Sequence, residues 1–466
     1  MNKHFILLFA LAMGFGLSTM AQGPGGSTDT IPDGAAYILN DGSTVTLTGE
    51  NLSTTQSDYN VVQVTNGNLM LNNCTITKSG DTNSSDGDAT SFYGINSAVY
   101  AKGLNATSVI TMNGGTITTN SKGSNAVFAW RGATIYVNDV TIHNYERVSR
   151  GLHATYEGII VATNVDITTE SETSSTIATD RGGGTVTVTG GSATAKGNRS
   201  AVLYSTGTIT ANDLTGVSEL GEIADVEGDN GVIINNCTMT CGSSERGLMM
   251  LQSGSGDAQG ENAYITVTAS TLTTTDASAP LCEVPTKNVG TLTLTDVTLN
   301  VASGKLMYVD YNTQWTTHGG TGNLILNTTQ SSWTYTGNVD ADSYSNVTVT
   351  VGENVTWRGT MDSDNNALSS AVTVNENGVW ILTADSYVDV LVNNGTIHTA
   401  GYTLNYGSLS GNGTIDDETA VNEFVDEETE GDGTIYTLDG RSLGTTLPDN
   451  FRGVYIQNGK KHVKVD

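Results

Sequence analysis

The side chains that could do chemistry are sparse in this chain and gather in one stretch of it. Charged residues make up only 14% of the sequence. Between residues 100 and 181, however, aromatic, basic and acidic residues recur at short intervals: Tyr100, Phe128, Trp130, Arg131, Arg147, Arg150, His153, Tyr156, Glu157, Asp180 and Arg181. Aromatic rings beside arginine and carboxylate groups commonly hold sugars, because the ring packs on the C–H face of the sugar while the polar groups bind its hydroxyls or carboxylates. The set predicts a glycan-binding groove.

The same residues could act on a polysaccharide rather than only bind it. A lyase needs a cation that stabilises the acidified uronate and a base that removes its proton. The candidates for the base are Arg147, Arg150, His153 and Tyr156. Asp180 and Glu157 could bind calcium, the one cofactor that the sequence leaves open, or could face each other as the two carboxylates of a hydrolase. No recognisable motif selects between these roles. Arg150, His153 and Asp180 remain the catalytic candidates, and salt bridges that stabilise long loops would explain the same residues.

Two further polar groups have simpler explanations. One consists of Glu227, Asp229, Glu245 and Arg246, which we expect to form ion pairs across neighbouring repeats. The other, Asp362-Ser363-Asp364-Asn365, resembles the start of a calcium-binding loop but lacks the following glycine and the distal glutamate. It predicts a solvated turn, so the sequence predicts no metal site.

The four cysteines leave two roles open. Cys74 and Cys237 lie in matching Asn-Cys-Thr triplets several repeats apart, too far for a disulfide. A Cys237–Cys241 or Cys241–Cys282 disulfide is compatible with an exported protein, whereas small buried core residues explain all four equally well. Two cysteines so close in sequence, without a second pair, are a weak signal for zinc.

A repeating fold must position these side chains. One apolar column consists of Ile117, Ile142 and Ile167 at a constant step along the sequence, with Leu214 and Met239 at the same step further on. A second column with the same step consists of Val127, Leu152, Ile177 and Val202. Two columns with one period indicate a solenoid, in which each coil supplies two or three short strands that pair with their copies in the next coil.

The coil size and its bends define the fold class. Polar pairs such as Asn73, Gly114-Gly115 and Asn138-Asp139 mark bends that need a left-handed backbone. Coils of about 25 residues are typical of right-handed rather than left-handed β-helices. The sequence therefore predicts an all-β chain, a right-handed parallel β-helix of roughly 15 coils over residues 37–415. From about residue 317 the coils narrow around an aromatic column, Tyr335, Trp357 and Trp380.

The N-terminal sequence indicates the compartment of the protein, and its net charge limits the possible partners. Lys3, an apolar run from Phe5 to Leu17 and small residues up to Ala21 predict a signal peptide over residues 1–21, cleaved near Ala21, with residues 22–36 leading into the β-helix. No segment is long and apolar enough to span a membrane. A net charge of −29 disfavours nucleic acid and anionic lipid as partners. We expect a protein that is secreted or lies on the outer cell surface.

The C-terminus has a different character. Residues 416–432 predict an acidic, extended linker, and residues 433–466 a small β domain with strands on both sides of the hairpin signal Asn458-Gly459. With Gly440-Arg441, Gly453-Val454-Tyr455 and a basic final strand, this domain resembles the C-terminal domain of proteins exported by the type IX secretion route, although it is shorter. The resemblance implies the secretion machinery as a partner.

The body, residues 37–415, resembles bacterial adhesin-like proteins with a pectate-lyase-type β-helix. The stacked columns and the block from Ile177 to Val188 carry this resemblance. It implies an adhesin-like protein that binds polysaccharide or a cell-surface ligand, with a polysaccharide lyase or a glycoside hydrolase as the alternative. Threonine ladders such as Thr116 and Thr118 also occur on ice-binding solenoids, although ordinary stacking of threonines in a sheet explains them.

Overall fold

The described residues of the computed structural model are 34–84, 87–103, 106–252, 258–285, 287–311, 319–417, 434–437, 442–448, 453–457 and 460–464. The chain divides into two compact units, Met1–Glu418 and Thr419–Asp466. The first unit is a right-handed parallel β-helix, and the second is a small antiparallel sheet. The expected signal peptide, the lead-in as far as residue 33 and most of the acidic linker lie outside the described residues.

Each coil of the β-helix is held by residues that alternate between the core and the surface. In the strand Ser108–Asn120, the side chains of Ile110, Met112 and Ile117 are buried while their neighbours are partly exposed. Parallel strands pair in register, so Ile117 stacks on Ile142 and Ile142 on Ile167, as the first column predicted. Each apolar side chain removed from water contributes about 1.5–3 kcal/mol, and the stacked columns form one continuous core.

Three parallel sheets run along the β-helix. Sheet A has twelve strands, Ala35–Leu39, Asn60–Val64, Val99–Lys102, Val127–Trp130, Leu152–Thr155, Ile177–Asp180, Leu203–Ser205, Ala224–Glu227, Leu248–Leu251, Cys282–Val284, Lys305–Val309 and Asn338–Ala341. Sheet B has twenty-one strands, Thr44–Thr48, Asn51–Thr54, Gly67–Ser79, Ser108–Asn120, Thr134–Asn138, Thr141–Asn144, Gly158–Thr169, Gly184–Ala195, Thr208–Asn212, Thr215–Ser218, Gly231–Asn235, Thr238–Cys241, Tyr264–Thr268, Thr271–Thr274, Val289–Thr295, Thr298–Val301, Thr321–Asn327, Asn346–Val351, Ser369–Val374, Ser386–Asn393 and Leu404–Ser410. Sheet C has five strands, Trp333–Thr336, Val355–Arg358, Val379–Ile381, Thr396–His398 and Thr414–Asp416.

The number of coils agrees with the expectation. One outward column of sheet B runs from Thr44 to Ser408 through fourteen successive pairings, and so through fifteen coils. At the usual spacing of about 4.8 Å per coil, this column is about 67 Å long.

The polar pairs mark the bends, as predicted. Asn73 and Asp139 adopt left-handed backbone angles, with φ of 51° and 55°, and Gly115 has a φ of 101°. A Cβ atom on Gly115 would lie 2.2 Å from the carbonyl oxygen of Cys74 on the preceding coil. Only glycine allows the two coils to approach this closely at that bend.

The expectation of a constant step along the sequence is wrong beyond Ile177. Ile177 pairs with Leu203 and not with Val202. Met239 pairs with Gly216 and not with Leu214 on one side, and with the more distant Leu272 on the other. The coils differ in length in the connections between their strands. The register of the core therefore persists while the step along the sequence changes.

The narrower C-terminal coils stack the predicted aromatic column. Tyr335 pairs with Trp357, and Trp357 pairs with Trp380. The rings of the two tryptophans are 4.9 Å apart with an interplanar angle of 12°. Nε1 of Trp357 donates to the carbonyl oxygen of Gly337 at 2.9 Å, and Nε1 of Trp380 to that of Gly359 at 3.0 Å. The two indoles fill the core here, and each has a partner for its buried N–H.

The second unit forms a four-stranded antiparallel sheet. Its strands, in chain order, are Ile435–Thr437, Ser442–Gly444, Gly453–Gln457 and Lys460–Lys464. Gln457 pairs with Lys460, so a two-residue connection joins the last two strands. This pairing confirms the predicted hairpin, whose turn residues Asn458 and Gly459 lie outside the described residues.

Helical structure is minor in the described part of the chain. It consists of Gly87–Ser91, between the strands Gly67–Ser79 and Val99–Lys102. No helix among the described residues has the length and the apolar character needed to cross a membrane.

Replacing Trp357 with alanine should lower the free energy of unfolding by about 3–5 kcal/mol, because it leaves a cavity beside Trp380 and removes a buried hydrogen bond. Urea unfolding followed by far-ultraviolet circular dichroism measures the change. Tyr402→Ala, at a ring that is 44% exposed, is the control and should cost less than about 1 kcal/mol. Equal costs at the two positions would contradict a stabilising aromatic column.

Candidate functional site

The outer face of sheet A carries the aromatic residues that the sequence singled out. Tyr100 pairs with Phe128, and Phe128 pairs with His153, so the three side chains stack on neighbouring coils. They lie on the opposite face from Val127 and Leu152, which belong to the main core. The rings of Phe128 and His153 are 4.8 Å apart. The predicted column therefore exists.

The column is not exposed, and the expectation of an open groove over it is wrong. The side chains with 0% exposure are Tyr100, Phe128, Trp130 and His153. Residues 87–97, which we call the cap and which include the helix Gly87–Ser91, fold over this part of sheet A. Phe92 and Tyr93 of the cap complete an apolar cluster with the rings of the column. A segment of the same chain thus occupies the place that the sequence predicted for a sugar.

Ring and cation contacts hold the cap in place. The ring of Tyr93 stacks on that of Tyr156 at 6.0 Å and meets the edge of Trp130, also at 6.0 Å. The guanidinium of Arg181 lies 3.9 Å from the centre of the Phe92 ring. Burial and the contact with Tyr93 raise the pKa of Tyr156 above its ordinary value. Tyr156 and Arg181, two of the predicted ligand-binding residues, therefore serve to pack the cap.

The three catalytic candidates do meet, but beneath the cap. Nη2 of Arg150 lies 3.3 Å from Oδ2 of Asp180, and Nε2 of His153 lies 3.9 Å from the same oxygen. Nη1 of Arg150 also donates to Oγ of Ser91 in the cap at 2.9 Å. The side chains of Arg150 and Asp180 are only 10% and 4% exposed. The pKa of His153 is lowered well below its ordinary value, first by burial and then by Arg150. The group is a buried ion pair beside a neutral imidazole, and it ties the cap to the β-helix.

Two other predicted arginines lie outside this ion pair. The guanidinium of Arg131 is 4.9 Å from the centre of the Trp130 ring, at the edge of the aromatic cluster. Arg147 pairs with Glu172 at 3.1 Å on the surface, where both side chains are 51% exposed. Neither contact brings the arginine to the buried carboxylate of Asp180.

Glu157 and Asp180 do not form the opposed carboxylate pair that the sequence suggested. Glu157 is exposed, and its backbone N–H donates to the carbonyl oxygen of Gly183. Asp180 lies opposite Thr155 in the register of sheet A and is bound to Arg150. The hydrolase pair proposed for these two residues is therefore wrong.

Further along sheet A, the same outward columns become acidic. We call these carboxylates the acidic stripe: Asp225, Glu227, Glu283, Asp310, Asp340, Asp342, Asp362 and Asp364. One column of this face runs in register through Tyr204, Asp225, Met249, Glu283, Tyr308 and Asp340. An isolated pairing of Val339 with Met361 extends the stripe by one more coil, to Asp362.

Arg246 lies beside the stripe and is surrounded by carboxylates. Its Nη1 is 2.9 Å from Oε2 of Glu283, and its Nε is 3.6 Å from Oε1 of Glu222. Its Nη2 binds Glu245. Glu245 and Arg246 therefore pair as sequence neighbours on one coil and not across neighbouring repeats as expected, whereas the contacts of Arg246 across coils are with Glu283 and Glu222, which the sequence did not single out.

The other two members of that predicted cluster lie elsewhere. Glu227 accepts a hydrogen bond from the hydroxyl of Tyr204 at 3.0 Å. Asp229 accepts the backbone N–H groups of Glu261 and Asn262 at 2.8 and 2.7 Å. Ion pairing with Arg246 is therefore wrong for both of them: the first belongs to the stripe, and the second holds a loop.

Burial raises the pKa of several carboxyl groups of the stripe. The pKa of Asp225 lies well above its ordinary value, first because of burial and then because of Glu227. Burial also raises the pKa of Glu283 to about 7, although Arg246 opposes the shift. Asp310 is hydrogen-bonded to Glu283, and burial raises its pKa as well. Burial therefore favours the protonated form of these three carboxyl groups.

A cavity of about 230 Å³ opens at the C-terminal part of the stripe. Its lining residues are Tyr308, Asp340, Ala341, Asp342, Ser343, Asp362, Asp364 and Asn366. Oδ1 of Asp362 accepts the backbone N–H groups of Asn366 and Ala367 at 2.9 and 3.1 Å, so this carboxylate caps a turn. Within the described residues, no group of three or more His, Cys, Asp or Glu is arranged to hold a metal ion.

The cysteines belong to the core. All four are buried with free thiols, so neither the Cys237–Cys241 nor the Cys241–Cys282 disulfide forms. Burial raises the pKa of the Cys241 thiol to about 11, which is the opposite of what a nucleophile or a metal ligand needs.

No protein-family model, curated protein or solved structure matches this chain. The candidate site is therefore defined by its own geometry: a sealed aromatic cluster under the cap, and an acidic stripe beyond it on the same face.

A constant step along the sequence does not locate the residues of the stripe. Tyr204, Asp225 and Glu283 are separated by coils of unequal length, the longest of which joins Met249 to Glu283. The signal that could have found them is positional. Each lies directly after the first buried apolar or small residue of its sheet A strand, as Phe128 and His153 do.

Arg150→Ala should lower the free energy of unfolding by about 3–5 kcal/mol, because it leaves the buried carboxylate of Asp180 without its partner and detaches the cap. Arg147→Ala is the matched control, since its exposed pair with Glu172 contributes about 0–1 kcal/mol. Urea unfolding of both variants checks the difference. Comparable small losses would mean that the Arg150 pair is not structural.

The raised pKa of Glu283 predicts a pH-dependent stability. The folded carboxyl keeps its proton up to about pH 7, whereas the unfolded one releases it near 4.5. Its stabilising effect is complete below about pH 4.5 and is lost as the pH rises to about 7, at about 1.4 kcal/mol per pH unit. Glu283→Gln should therefore remove about 2 kcal/mol of the difference in unfolding free energy between pH 5 and pH 7.

Urea unfolding at the two pH values measures this effect. Glu353→Gln, at an exposed side chain, is the control and should leave the difference as it is in the wild type. An unchanged difference in Glu283→Gln would contradict the assignment of a proton to that carboxyl.

Proposed function

We propose that the protein is an exported, surface-associated β-helix that binds a neutral polysaccharide along the acidic stripe. The observation that carries the proposal is the alignment of carboxyl groups with Tyr204 and Tyr308 on one outward face. The accessible part of the stripe includes Tyr308, Asp340 and Asp364, on successive coils about 4.8 Å apart, so an extended polymer can contact these coils in turn. Such a ligand needs no deep pocket.

The chemistry of the stripe suits hydroxyl groups. Ionised carboxylates accept hydrogen bonds from sugar hydroxyls, and a protonated carboxyl can donate one. An anionic polymer is disfavoured, because the arginines Arg150 and Arg246 are already bound by carboxylates and the chain carries a net charge of −29. This argues against a lyase that acts on uronates.

Sequence features at the two ends support export to the cell surface. Lys3, the apolar run that follows and Ala21 have the order of a signal peptide. The C-terminal strands Gly453–Gln457 and Lys460–Lys464 carry the pattern that resembles a type IX sorting domain. We propose that the protein ends outside the outer membrane, with the secretion machinery as a partner.

A glycoside hydrolase is the second candidate, and Glu283 favours it. A general acid must hold its proton near neutral pH, and the pKa of Glu283 is raised to about 7. Asp310, hydrogen-bonded to it, would be the second carboxyl that such an enzyme requires. One observation distinguishes the two candidate functions: a hydrolase releases new reducing ends from the polysaccharide, and a binding protein does not.

The test incubates the purified full-length chain with a panel of neutral and acidic polysaccharides, and it measures retention and reducing-end release together. We expect retention of neutral polysaccharides without product. Asp340→Asn combined with Asp342→Asn should weaken binding by about 10–100-fold, because hydrogen bonds to charged groups contribute about 1.5–3 kcal/mol. Asp139→Asn combined with Asp166→Asn, on sheet B, is the matched control and should bind as the wild type does.

Other outcomes have distinct meanings. Equal binding by the stripe variant and the wild type, or retention of acidic polysaccharides alone, would contradict the proposed site. Release of reducing ends that Glu283→Gln abolishes would replace the binding proposal with the hydrolase.

A further inference from the structure

One long face of the β-helix, described along its whole length, carries no charged side chain. It consists of three neighbouring outward columns of sheet B, which run from the strand Thr44–Thr48 to the strand Ser369–Val374, and we call it the neutral face. Its middle column consists of Thr46, Met70, Thr111, Tyr136, Val161, Thr187, Thr210, Ile233, Thr266, Thr293, Ile325, Thr350 and Thr373. The flanking columns, from Thr44 to Ala371 and from Thr48 to Asn327, contain only Thr, Asn, Val, Ile, Tyr, Gly and Ala.

This neutrality contrasts with the rest of the chain. The sequence has 48 acidic residues and a net charge of −29. The other half of sheet B has charges on its outer face, at Asp166, Glu170 and Glu219. Charged residues lie at the bends along the edge of the neutral face, for example Asp139, Asp213 and Asp296. The face therefore has an uncharged centre and a charged rim, as protein interfaces do.

The face has the size of a stable interface. Thirteen coils at about 4.8 Å extend about 58 Å, and strands of five residues span about 13 Å, which gives about 750 Å². Specific interfaces bury about 800 Å² per partner. Large apolar side chains stand out from the threonines here, since Met70, Tyr136, Ile159 and Tyr264 are 39%, 41%, 37% and 37% exposed. Methionine and aromatic residues are enriched at such interfaces.

We propose that the neutral face binds the neutral face of a second copy of this chain, in a face-to-face dimer of β-helices. The negative net charge of the chain favours a second copy as the partner of the neutral face. Two copies that each carry −29 repel each other at their acidic surfaces and can approach closely only through a face that contributes no like charges. Two flat sheet faces pack with interdigitated side chains at about 10 Å, and a two-fold axis closes the assembly at two copies.

The inference goes beyond the proposed function and does not depend on it. The acidic stripe lies on sheet A and the neutral face on sheet B. Dimerisation through sheet B would leave the stripe of each copy free, so two ligand-binding faces would be joined in one particle.

The first test measures the mass of the full-length chain in solution by sedimentation equilibrium. We expect a dimer that becomes tighter as salt is added, because screening weakens the repulsion between the two acidic chains. Thr187→Glu, Thr210→Glu and Ile233→Glu together should raise the dissociation constant by at least about 100-fold, because they juxtapose like charges in the interface. The matched control places three glutamates on the same coils outside the neutral face, by Thr194→Glu, Val217→Glu and Thr240→Glu, and it should stay dimeric.

A second measurement does not depend on whether the triple glutamate variant folds. Thr210 is the midpoint of the middle column, so a two-fold axis brings it next to its own copy. The four native cysteines are buried, and Thr210→Cys should therefore form a disulfide-linked dimer under mild oxidation. Val217→Cys, on the same coil but outside the neutral face, should not.

A chain that stays monomeric at all concentrations would overturn the proposal. So would a dimer that tolerates the three glutamates on the neutral face and fails to cross-link through Thr210→Cys. A monomer that binds particles of a neutral crystalline polysaccharide, and loses that binding with the same glutamates, would assign the face to a glycan instead.

Discussion

The in-register pairing of each strand with its copy one coil later is the interaction on which the rest of this structure depends. It forces residues of like position to stack, so Ile117, Ile142 and Ile167 form a column in the core while the residues beside them form columns on the surface. The bends obey the same constraint, because Gly115 must let the carbonyl of Cys74 approach within a distance that no Cβ atom permits. A solenoid of this kind arranges its surface chemistry in lines rather than at points.

Two such lines give the β-helix three different surfaces. On sheet A the aromatic line that includes Phe128 is sealed by the cap, and the same line continues as the acidic stripe. On sheet B the threonine-rich line is neutral from one end to the other. The cap distinguishes the first two: it turns the Arg150–Asp180 pair into a structural element, whereas beyond the cap a cavity lined by Tyr308, Asp340 and Asp364 opens on the same face. Function on this fold therefore depends on which part of a line remains open.

The sequence predicted the features that depend on residues one coil apart. The period, the left-handed bends at Asn73 and Asp139 and the stack of Trp357 on Trp380 are all of this kind. The sequence did not predict the cap, because the cap does not repeat from coil to coil and its contacts join residues distant in sequence. The hydrogen bond between Arg150 and Ser91, for example, joins residues 59 positions apart. The acidic stripe was hidden for a related reason. Insertions between strands change the step along the chain without changing the register in space, so equal spacing stops locating neighbours beyond Ile177.

The direction of the backbone hydrogen bonds has a mechanical consequence. Bonds such as that from the N–H of Val127 to the carbonyl of Gly151 join one coil to the next and lie along the axis of the β-helix. Tension along that axis therefore breaks the hydrogen bonds between one pair of coils after another, instead of breaking the bonds of all coils at once. Each coil that detaches frees about 25 residues, roughly 85 Å of extended chain. A β-helix built this way extends under a pulling force along its axis in many small steps rather than in one large one.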